Sequence, residues 1–314
     1  MDTTKKRQQL ITGIKDQFEE LITTLPRELH TSILRSYQPE DFMSPGLLSL
    51  VGLPFWISET LPVDSEVCHQ MAVGNLFLLH TFQSFDYIVD EDRPNVSTRE
   101  QIVLGNLCYQ HVMRQYRPHF APDSLFWERV EAYWHEWGAS ILWEVEKDNL
   151  RRSFSRTHAE QSSHKAAALK ICPTGLAILA DRPELIPDFE RAIDLMHTTM
   201  QLVDDLKDWR EDLLHHRYNS MLSLIVSNNP EYAASLSPDD VVDAIYNSDI
   251  LKDYEGLIRE YAEEAVTFIG SLGIDPWVQL VDSLPYSAAW IVERYDTLMD
   301  ALVSEHLDTV SKGN

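Results

Sequence analysis

The residues of this sequence best suited to chemistry are three aspartates in one acidic cluster. The cluster reads MQLVDDLKDWREDLLHHRYN at residues 200–219, and Asp204, Asp208 and Asp212 repeat there at a spacing of four. Residues spaced by four share one face of a helix, so the repeat predicts a stripe of carboxylates. Like charges at this spacing destabilise a helix, whereas carboxylate oxygens are ligands that Mg²⁺ prefers. The stripe therefore predicts a magnesium site that bridges to a polyanion.

A second acidic cluster lies upstream, at residues 85–94. It reads FDYIVDEDRP, with Asp86 and Asp90 four residues apart. Both carboxylates are expected on one face of a helix, and Pro94 then ends that helix. The alternative for either cluster is a solvated helix face, since about one residue in six of this chain is acidic.

The elements that must position these acids are strongly apolar helices. NLFLLHTFQSF at residues 75–85 leads into the first cluster, and IDLMHTTMQLV at residues 193–203 leads into the second. Acids at the ends of such helices are expected at the mouth of an apolar cavity. A cavity of this kind suits an amphiphile with an anionic head.

Helical spacing of apolar residues extends over almost the whole chain. The 314 residues are 44% hydrophobic and contain only 11 Gly and 15 Pro, which gather in a few segments between helices. The pattern predicts an all-α bundle that forms a single domain over residues 1–314, with a peripheral helix within residues 1–40.

Charge and cysteine content exclude several classes of protein. A net charge of −24 argues against a nucleic-acid partner, because nucleic-acid binding needs a basic surface. Three cysteines indicate neither a disulfide framework nor a zinc cluster, which favours a reducing compartment. Charges interrupt the N-terminal segment, and no stretch approaches the roughly 18 apolar residues of a membrane span. We therefore expect a cytoplasmic protein with no signal peptide and no membrane span.

With these residues the sequence resembles the class I isoprenoid synthase superfamily, which comprises trans-prenyl diphosphate synthases and class I terpene cyclases. The segment Gln201-x-x-Asp204-Asp205-x-x-Asp208 is similar to the second aspartate-rich motif of the prenyl synthases. The same stretch fits the cyclase motif, in which Asp204, Asp208 and Asp212 would be the metal ligands. The resemblance implies a helical bundle around a central apolar cavity.

The first cluster resembles the first aspartate-rich motif of the same superfamily. His80-Thr81-Phe82 precedes it, and Asp86 and Asp90 match its acids. Tyr87 stands where a prenyl synthase usually has its second aspartate, so the motif is incomplete.

Basic residues around the second motif extend the resemblance. Lys165, in HKAAALK, is similar to the lysine of the prenyl-synthase Lys-Thr segment. Arg217 falls near the Lys or Arg that contacts diphosphate in the family, and Arg294-Tyr295 resembles the Arg-Tyr pair of bacterial terpene cyclases. The usual arginine sensor would fall at His158, which leaves that role unassigned between Lys165 and Arg156. Each basic residue could instead be an ordinary surface residue.

The resemblance implies a role for each of these residues. It implies catalytic roles for Asp86, Asp204, Arg294 and Tyr295, magnesium ligands at Asp86, Asp90, Asp204, Asp208 and Asp212, and substrate binding by Lys165, Arg217, Arg294, Tyr295, Phe82 and Gln201. Three Mg²⁺ ions, bound with an isoprenyl diphosphate substrate, are expected by the same resemblance.

Departures from the family patterns favour one activity over another. Prenyl synthases bind isopentenyl diphosphate with a Gly-Lys-Arg segment and an Arg-Arg-Gly segment, and this sequence has SPGLLSLVGLPFW and EDRPNVSTRE in those places. A second diphosphate needs Lys and Arg partners. We therefore predict a class I terpene cyclase, a lyase that ionises and cyclises a linear C15 or C20 diphosphate. One alternative is a prenyltransferase, which either joins an allylic diphosphate to another acceptor or elongates it with isopentenyl diphosphate through an unrecognised second site. The other alternative is a non-catalytic partner subunit of a prenyl synthase. Whether the chain forms a homodimer is left open.

Overall fold

The computed structural model describes residues 3–34, 45–89, 97–144 and 152–295. Its helices are α1 (Thr3–Ile22), α2 (Arg27–Leu34), α3 (Pro45–Ser58), α4 (Ser65–Val89), α5 (Thr98–Tyr116), α6 (Leu125–Glu144), α7 (Arg156–Ser163), α8 (Ile171–Leu179), α9 (Ile186–Leu214), α10 (Ser220–Asn228), α11 (Pro238–Asn247), α12 (Ile250–Ser271) and α13 (Asp275–Asp282). Residues 284–295 form a further helical segment. No strand occurs in the ranges just given, so the prediction of an all-α protein is confirmed.

The chain divides into two compact units, each built from separate stretches of sequence. The first unit draws on Met1–Trp134, Ala168–Arg191 and Gly273–Trp277, and the second on His135–Ala167, Ala192–Leu272 and Val278–Asn314. The expectation that residues 1–314 fold as one domain stays a prediction, as does the central cavity.

In the first unit, α4 is the buried element on which its neighbours pack. α4 packs on α1, α3 and α5. Phe18 of α1 meets Phe77 edge to face at 4.7 Å between ring centroids. The buried Asn75 side chain donates to the Leu50 carbonyl at 2.9 Å and accepts from the Tyr116 hydroxyl at 2.7 Å. A buried amide with both groups bonded ties three helices together.

In the second unit, the C-terminal part of α9 packs into a core formed with α10, α11 and α12. Trp209 belongs to this core and is 1% exposed. The core includes Leu202, Leu206, Trp209, Met221, Leu222, Ile225, Val241, Tyr254, Ile258 and Tyr261. One side of α9 therefore faces this core, and the acids occupy the remaining positions of the same helix.

Local sequence signals place the helix ends around this core. A capping box begins α11, in which the Ser237 hydroxyl accepts from the Asp240 N–H and the Asp240 carboxylate accepts from the Ser237 N–H. After α9, His216 adopts a left-handed conformation with φ of 58°. This conformation lets the Arg217 N–H donate to the Asp212 carbonyl at 2.9 Å, which closes the helix where glycine is usual.

Two further expectations concern the protein's surroundings. Among the helices described above, none combines the length and apolarity needed to cross a membrane. The thiols of Cys68, Cys108 and Cys172 are free and buried. These side chains therefore behave as small apolar core residues.

Candidate active site

The carboxylate stripe of α9 lies in the second unit and runs from solvent toward the interior. Asp204 is exposed, the Asp208 side chain is 44% exposed, and the Asp212 side chain is 15% exposed. All three donors are carboxylate oxygens, which suit Mg²⁺ and its need to keep several water or phosphate oxygens. The donor set therefore fits the implied metal, and the role of each residue as a ligand stays a prediction.

Asp205, the second acid of the motif, points into the protein instead. Its Oδ1 accepts a hydrogen bond from Gln201 Nε2 at 2.7 Å, and its Oδ2 accepts one from the Ser220 backbone N–H at 2.7 Å. Burial raises the pKa of Asp205 to about 6, although both bonds and the nearby Lys165 oppose the shift. Asp205 thus joins α9 to the start of α10. Gln201, expected to bind substrate, is bonded to this anchor.

Asp212 is held by the segment that returns after α9. Its Oδ2 accepts from Asn219 Nδ2 at 2.8 Å, and its Oδ1 lies 3.8 Å from Arg217 Nη1. The pKa of Asp212 is raised to about 7, because burial and the Asp205 carboxylate outweigh the lowering by the bond from Asn219. The structure therefore brings Arg217 beside the third acid of the stripe.

Lys165 lies among carboxylates of the same unit. Its Nζ donates to Glu144 Oε1 at 2.8 Å. Burial lowers the pKa of Lys165, but the charges of Glu144, Asp205 and Asp212 outweigh burial and raise it above the ordinary value. The ammonium thus stays charged and compensates acids from two elements, and its predicted contact with diphosphate stays a prediction.

The Arg294-Tyr295 pair is tied to α9 through its tyrosine. Trp209 Nε1 donates to the Tyr295 hydroxyl at 3.0 Å. Arg294 is exposed, and its guanidinium lies over the Trp290 ring at 4.6 Å. The Tyr295 hydroxyl therefore anchors residues 284–295 to α9 through the buried Trp209, and Arg294 is the member of the pair that faces solvent.

Arg156 and Lys165, the two candidates for the arginine-sensor role, have different environments. Arg156 pairs with Glu264 of α12 and lies over the Tyr261 ring at 4.2 Å. His158, which occupies the usual sensor position, packs its ring 5.8 Å from that of Trp143 and 6.2 Å from that of Tyr218, measured between centroids. Arg156 is therefore committed to α12, whereas Lys165 lies beside the stripe.

Three side chains of types that can ligate a metal ion lie close together in the same unit, and no spacing in the sequence indicates them. Glu136, His164 and Asp194 are half-buried, and one ligand atom of each lies within 4.8 Å of the others. His164 Nδ1 is 3.4 Å from Glu136 Oε1, and its Nε2 is 3.9 Å from Asp194 Oδ1. Each ring nitrogen of His164 therefore faces a different carboxylate.

The first motif lies on α4, in the other unit. Asp86 is half-buried near the end of this helix, and Asp90 lies outside the described residues. Phe82, one turn before Asp86, is 9% exposed and stacks on Trp134 at 5.0 Å between centroids. Phe82 is therefore part of an aromatic cluster, and its predicted contact with substrate remains a prediction.

Sequence reasoning missed Asn219 and Glu144, which contact the predicted residues directly. Glu144 pairs with Lys165 across 21 residues of sequence, and no helical period spans that distance. Asn219 carried a usable signal, because an asparagine before the apolar run SMLSLIV is a preferred helix N-cap.

Comparisons of the sequence with family models and with curated proteins find no match. Solved structures, in contrast, match over nearly the whole chain. The geranylgeranyl pyrophosphate synthase of Lactobacillus brevis complexed with citrate superposes with a TM-score of 0.66 at 18% identity, over 94% of this chain and 100% of its own. The octaprenyl pyrophosphate synthase of Helicobacter pylori gives 0.65 at 12% identity, over 88% and 99%. A T. brucei farnesyl pyrophosphate synthase gives 0.62 at 16%, over 90% and 99%.

This chain has the class I isoprenoid synthase fold. The resemblance drawn from the sequence and the fold class it implied are both confirmed. The neighbours are prenyl diphosphate synthases, and at this similarity the likeness does not decide between prenyl transfer and the predicted cyclisation. The physical reason is that the stripe of acids on α9 fits both motifs, so it cannot separate one activity from the other. At these identities the likeness establishes the fold, and the activity is a separate proposal.

Proposed function

We propose that this protein is a Mg²⁺-dependent prenyltransferase whose donor is an allylic isoprenoid diphosphate of C15 or C20 length. The observation that carries the proposal is the graded stripe of Asp204, Asp208 and Asp212 with Lys165 and Arg217 in the same unit. Carboxylates can ligate Mg²⁺, and basic residues near them can bind the oxygens of a diphosphate, so together they suit a diphosphate that carries Mg²⁺. The likeness to solved prenyl diphosphate synthases supports transfer as the reaction.

In this proposal the residues of the chain bind and orient the diphosphate group. Asp204 and Asp208 offer exposed carboxylates, and Lys165 and Arg217 add positive charge that neutralises the departing group. Mg²⁺, when bound, would supply electrostatic stabilisation of the leaving diphosphate. The carbon–oxygen bond breaks with its electron pair on the diphosphate. The acceptor's electron pair then bonds to the allylic carbon, and the acceptor loses a proton.

The acceptor is constrained by residues that the sequence lacks. Neither basic segment that prenyl synthases use for isopentenyl diphosphate occurs here. A second diphosphate would bring several negative charges to a chain of net charge −24. The proposal therefore favours an acceptor without a diphosphate group.

A terpene cyclase is the second candidate, and the Asp212 position favours it. Asp212 continues the stripe to a third turn of α9, as the cyclase motif requires, and Tyr295 bonds to Trp209 of the same helix. A cyclase would need only one diphosphate, which agrees with the missing basic segments. Product analysis separates the two candidates.

The decisive experiment supplies the donor with and without acceptors. Purified full-length protein is incubated with Mg²⁺ and farnesyl or geranylgeranyl diphosphate, alone, with isopentenyl diphosphate, or with a phosphatase-treated metabolite extract. Released pyrophosphate and organic products are measured by coupled assay and mass spectrometry. Asp204→Ala is the test variant, and Asp188→Ala, an exposed acid in the first turn of the same helix, is its matched control.

Each outcome assigns the activity. A prenylated product that needs an added acceptor and is lost only in Asp204→Ala supports transfer. A hydrocarbon or alcohol from the donor alone replaces transfer with cyclisation. Absence of magnesium-dependent pyrophosphate release from every donor overturns both candidates and leaves the non-catalytic subunit. The three ions, a homodimer and a cytoplasmic location remain predictions within this proposal.

A further inference from the structure

Asn219 is buried and stands at the point where the chain turns from α9 into α10. It follows Asp212 by seven residues and is 0% exposed. Its Nδ2 donates to the Asp212 Oδ2 at 2.8 Å and to the Asp205 carbonyl at 2.8 Å. Its Oδ1 accepts from the Met221 and Leu222 backbone N–H groups at 3.0 Å and 3.1 Å.

These four bonds use the whole hydrogen-bonding capacity of the amide. A primary amide has two N–H donors and two lone pairs on its oxygen. Aspartate would keep the acceptors and lose both donors, and serine would keep one acceptor for the cap. Asparagine is therefore the residue that can cap α10 and hold Asp212 with one side chain.

The bonds also fix which oxygen of Asp212 is available. Oδ2 is taken by Asn219, whereas Oδ1 lies toward Arg217 at 3.8 Å. The backbone that carries Asn219 is fixed in turn, because the next residue, Ser220, donates its N–H to Asp205. Asp205 thus sets the turn, and the turn sets the orientation of the third acid of the stripe.

We infer that Asn219 is a positioning residue, which orients the Asp212 carboxylate so that Oδ1 meets a divalent cation bound together with diphosphate. This inference rests on the proposed function and adds to it the group that holds one ligand in place. Partners that orient metal ligands affect metal affinity strongly, and their removal typically costs about 10–100-fold. A residue that served only as a helix cap would affect stability alone.

The experiment measures Mg²⁺ affinity in the presence of inorganic pyrophosphate by isothermal titration calorimetry, with the melting temperature of each variant as a second readout. Asn219→Ser keeps a cap acceptor and loses the donor to Asp212. Ser237→Ala, which removes the cap of α11 in the same unit, is the matched control for lost capping. If Asn219→Ser fails to fold, Asn219→Asp replaces it, since it keeps the size and the cap acceptor but lacks both donors.

We expect Asn219→Ser to weaken Mg²⁺ binding by about 10-fold or more, and Ser237→Ala to lower the melting temperature with unchanged Mg²⁺ affinity. In an Asp212→Asn background, Asn219→Ser should cause no further loss of Mg²⁺ affinity, because the effect acts through Asp212. Mg²⁺ affinity within twofold of wild type in a folded Asn219 variant would overturn the inference. The inference would also be overturned if Asn219→Ser weakened Mg²⁺ binding in the Asp212→Asn background by the same factor as in the wild type.

The same measurements separate this inference from the proposal beneath it. A wild-type protein that binds no pyrophosphate with Mg²⁺ contradicts the proposed function and, with it, the positioning role. Wild-type binding that persists in the Asn219 variants contradicts the positioning role alone.

Discussion

Replacing Tyr295 with phenylalanine tests whether this hydroxyl anchors a helix or acts on substrate. The hydroxyl accepts a hydrogen bond from Trp209 Nε1 at 3.0 Å, and Trp209 is 1% exposed. Tyr295→Phe keeps the ring and leaves a buried indole N–H without its acceptor. An unsatisfied buried donor costs about 1–3 kcal/mol.

This cost translates into a measurable change in thermal stability. For a protein of this size each kcal/mol shifts the melting temperature by roughly 2 °C, so we expect a fall of about 2–6 °C. The free energy of unfolding from urea titration should fall by the same 1–3 kcal/mol, within the error of extrapolation. Tyr286→Phe is the matched control, since Tyr286 belongs to the same helical segment and is 69% exposed. Its stability should stay within about 0.5 kcal/mol of wild type.

The competing role of Tyr295 predicts a different pattern. A hydroxyl that donates to diphosphate would lose a bond to a charged group, worth about 1.5–3 kcal/mol or roughly 10–100-fold in pyrophosphate affinity. Tyr295→Phe with unchanged stability and such a loss of affinity would refute the anchoring account. Lower stability with unchanged pyrophosphate affinity would support it.

Three further predictions concern stability and charge. Burial lowers the pKa of His80 to about 3, so the folded protein leaves this ring unprotonated between pH 6.5 and 3, and stability falls as the pH drops through that range. Wild type should therefore lose free energy of unfolding between pH 7.5 and pH 5, and His80→Gln and His80→Leu should each remove about 2 kcal/mol of that loss in urea titrations. The exposed His215→Gln is the control and should leave the loss unchanged. His216→Gly should raise the free energy of unfolding by about 0.5–1 kcal/mol, because glycine accepts the φ of 58° without strain, and an unchanged urea midpoint would contradict this. Lys165→Met should cost about 1–3 kcal/mol, because it leaves the Glu144 carboxylate unpaired. Adding Glu144→Leu should recover the part of this cost that comes from Glu144 in urea titrations, without restoring pyrophosphate affinity.

The sequence predicted the features that depend on local spacing. Apolar periodicity indicated helices throughout, and the repeat of Asp204, Asp208 and Asp212 predicted a shared face on one helix. Both follow from the geometry of a single helix, which is set by residues close in sequence.

Contacts between distant segments could not be predicted in this way. Glu144 with Lys165, and Arg156 with Glu264, join elements whose approach depends on how whole helices pack. The choice between cyclisation and transfer could not be predicted for a related reason. One acid stripe fits both motifs, and the choice of second substrate depends on cavity shape, which no spacing encodes.

The bonds around Asn219 also bear on the chemical ageing of the protein. Asparagine deamidates when the backbone nitrogen of the next residue attacks its side-chain carbonyl carbon, and Asn is among the residues depleted in heat-adapted proteins. Here that nitrogen belongs to Ser220, whose N–H is bonded to Asp205 at 2.7 Å, and the amide itself is fully bonded. The folded state therefore protects the Asn219–Ser220 bond from rearrangement. Prolonged heating that opens this turn would convert Asn219 to aspartate, place a new carboxylate against Asp212, and leave a more acidic species that isoelectric focusing can resolve.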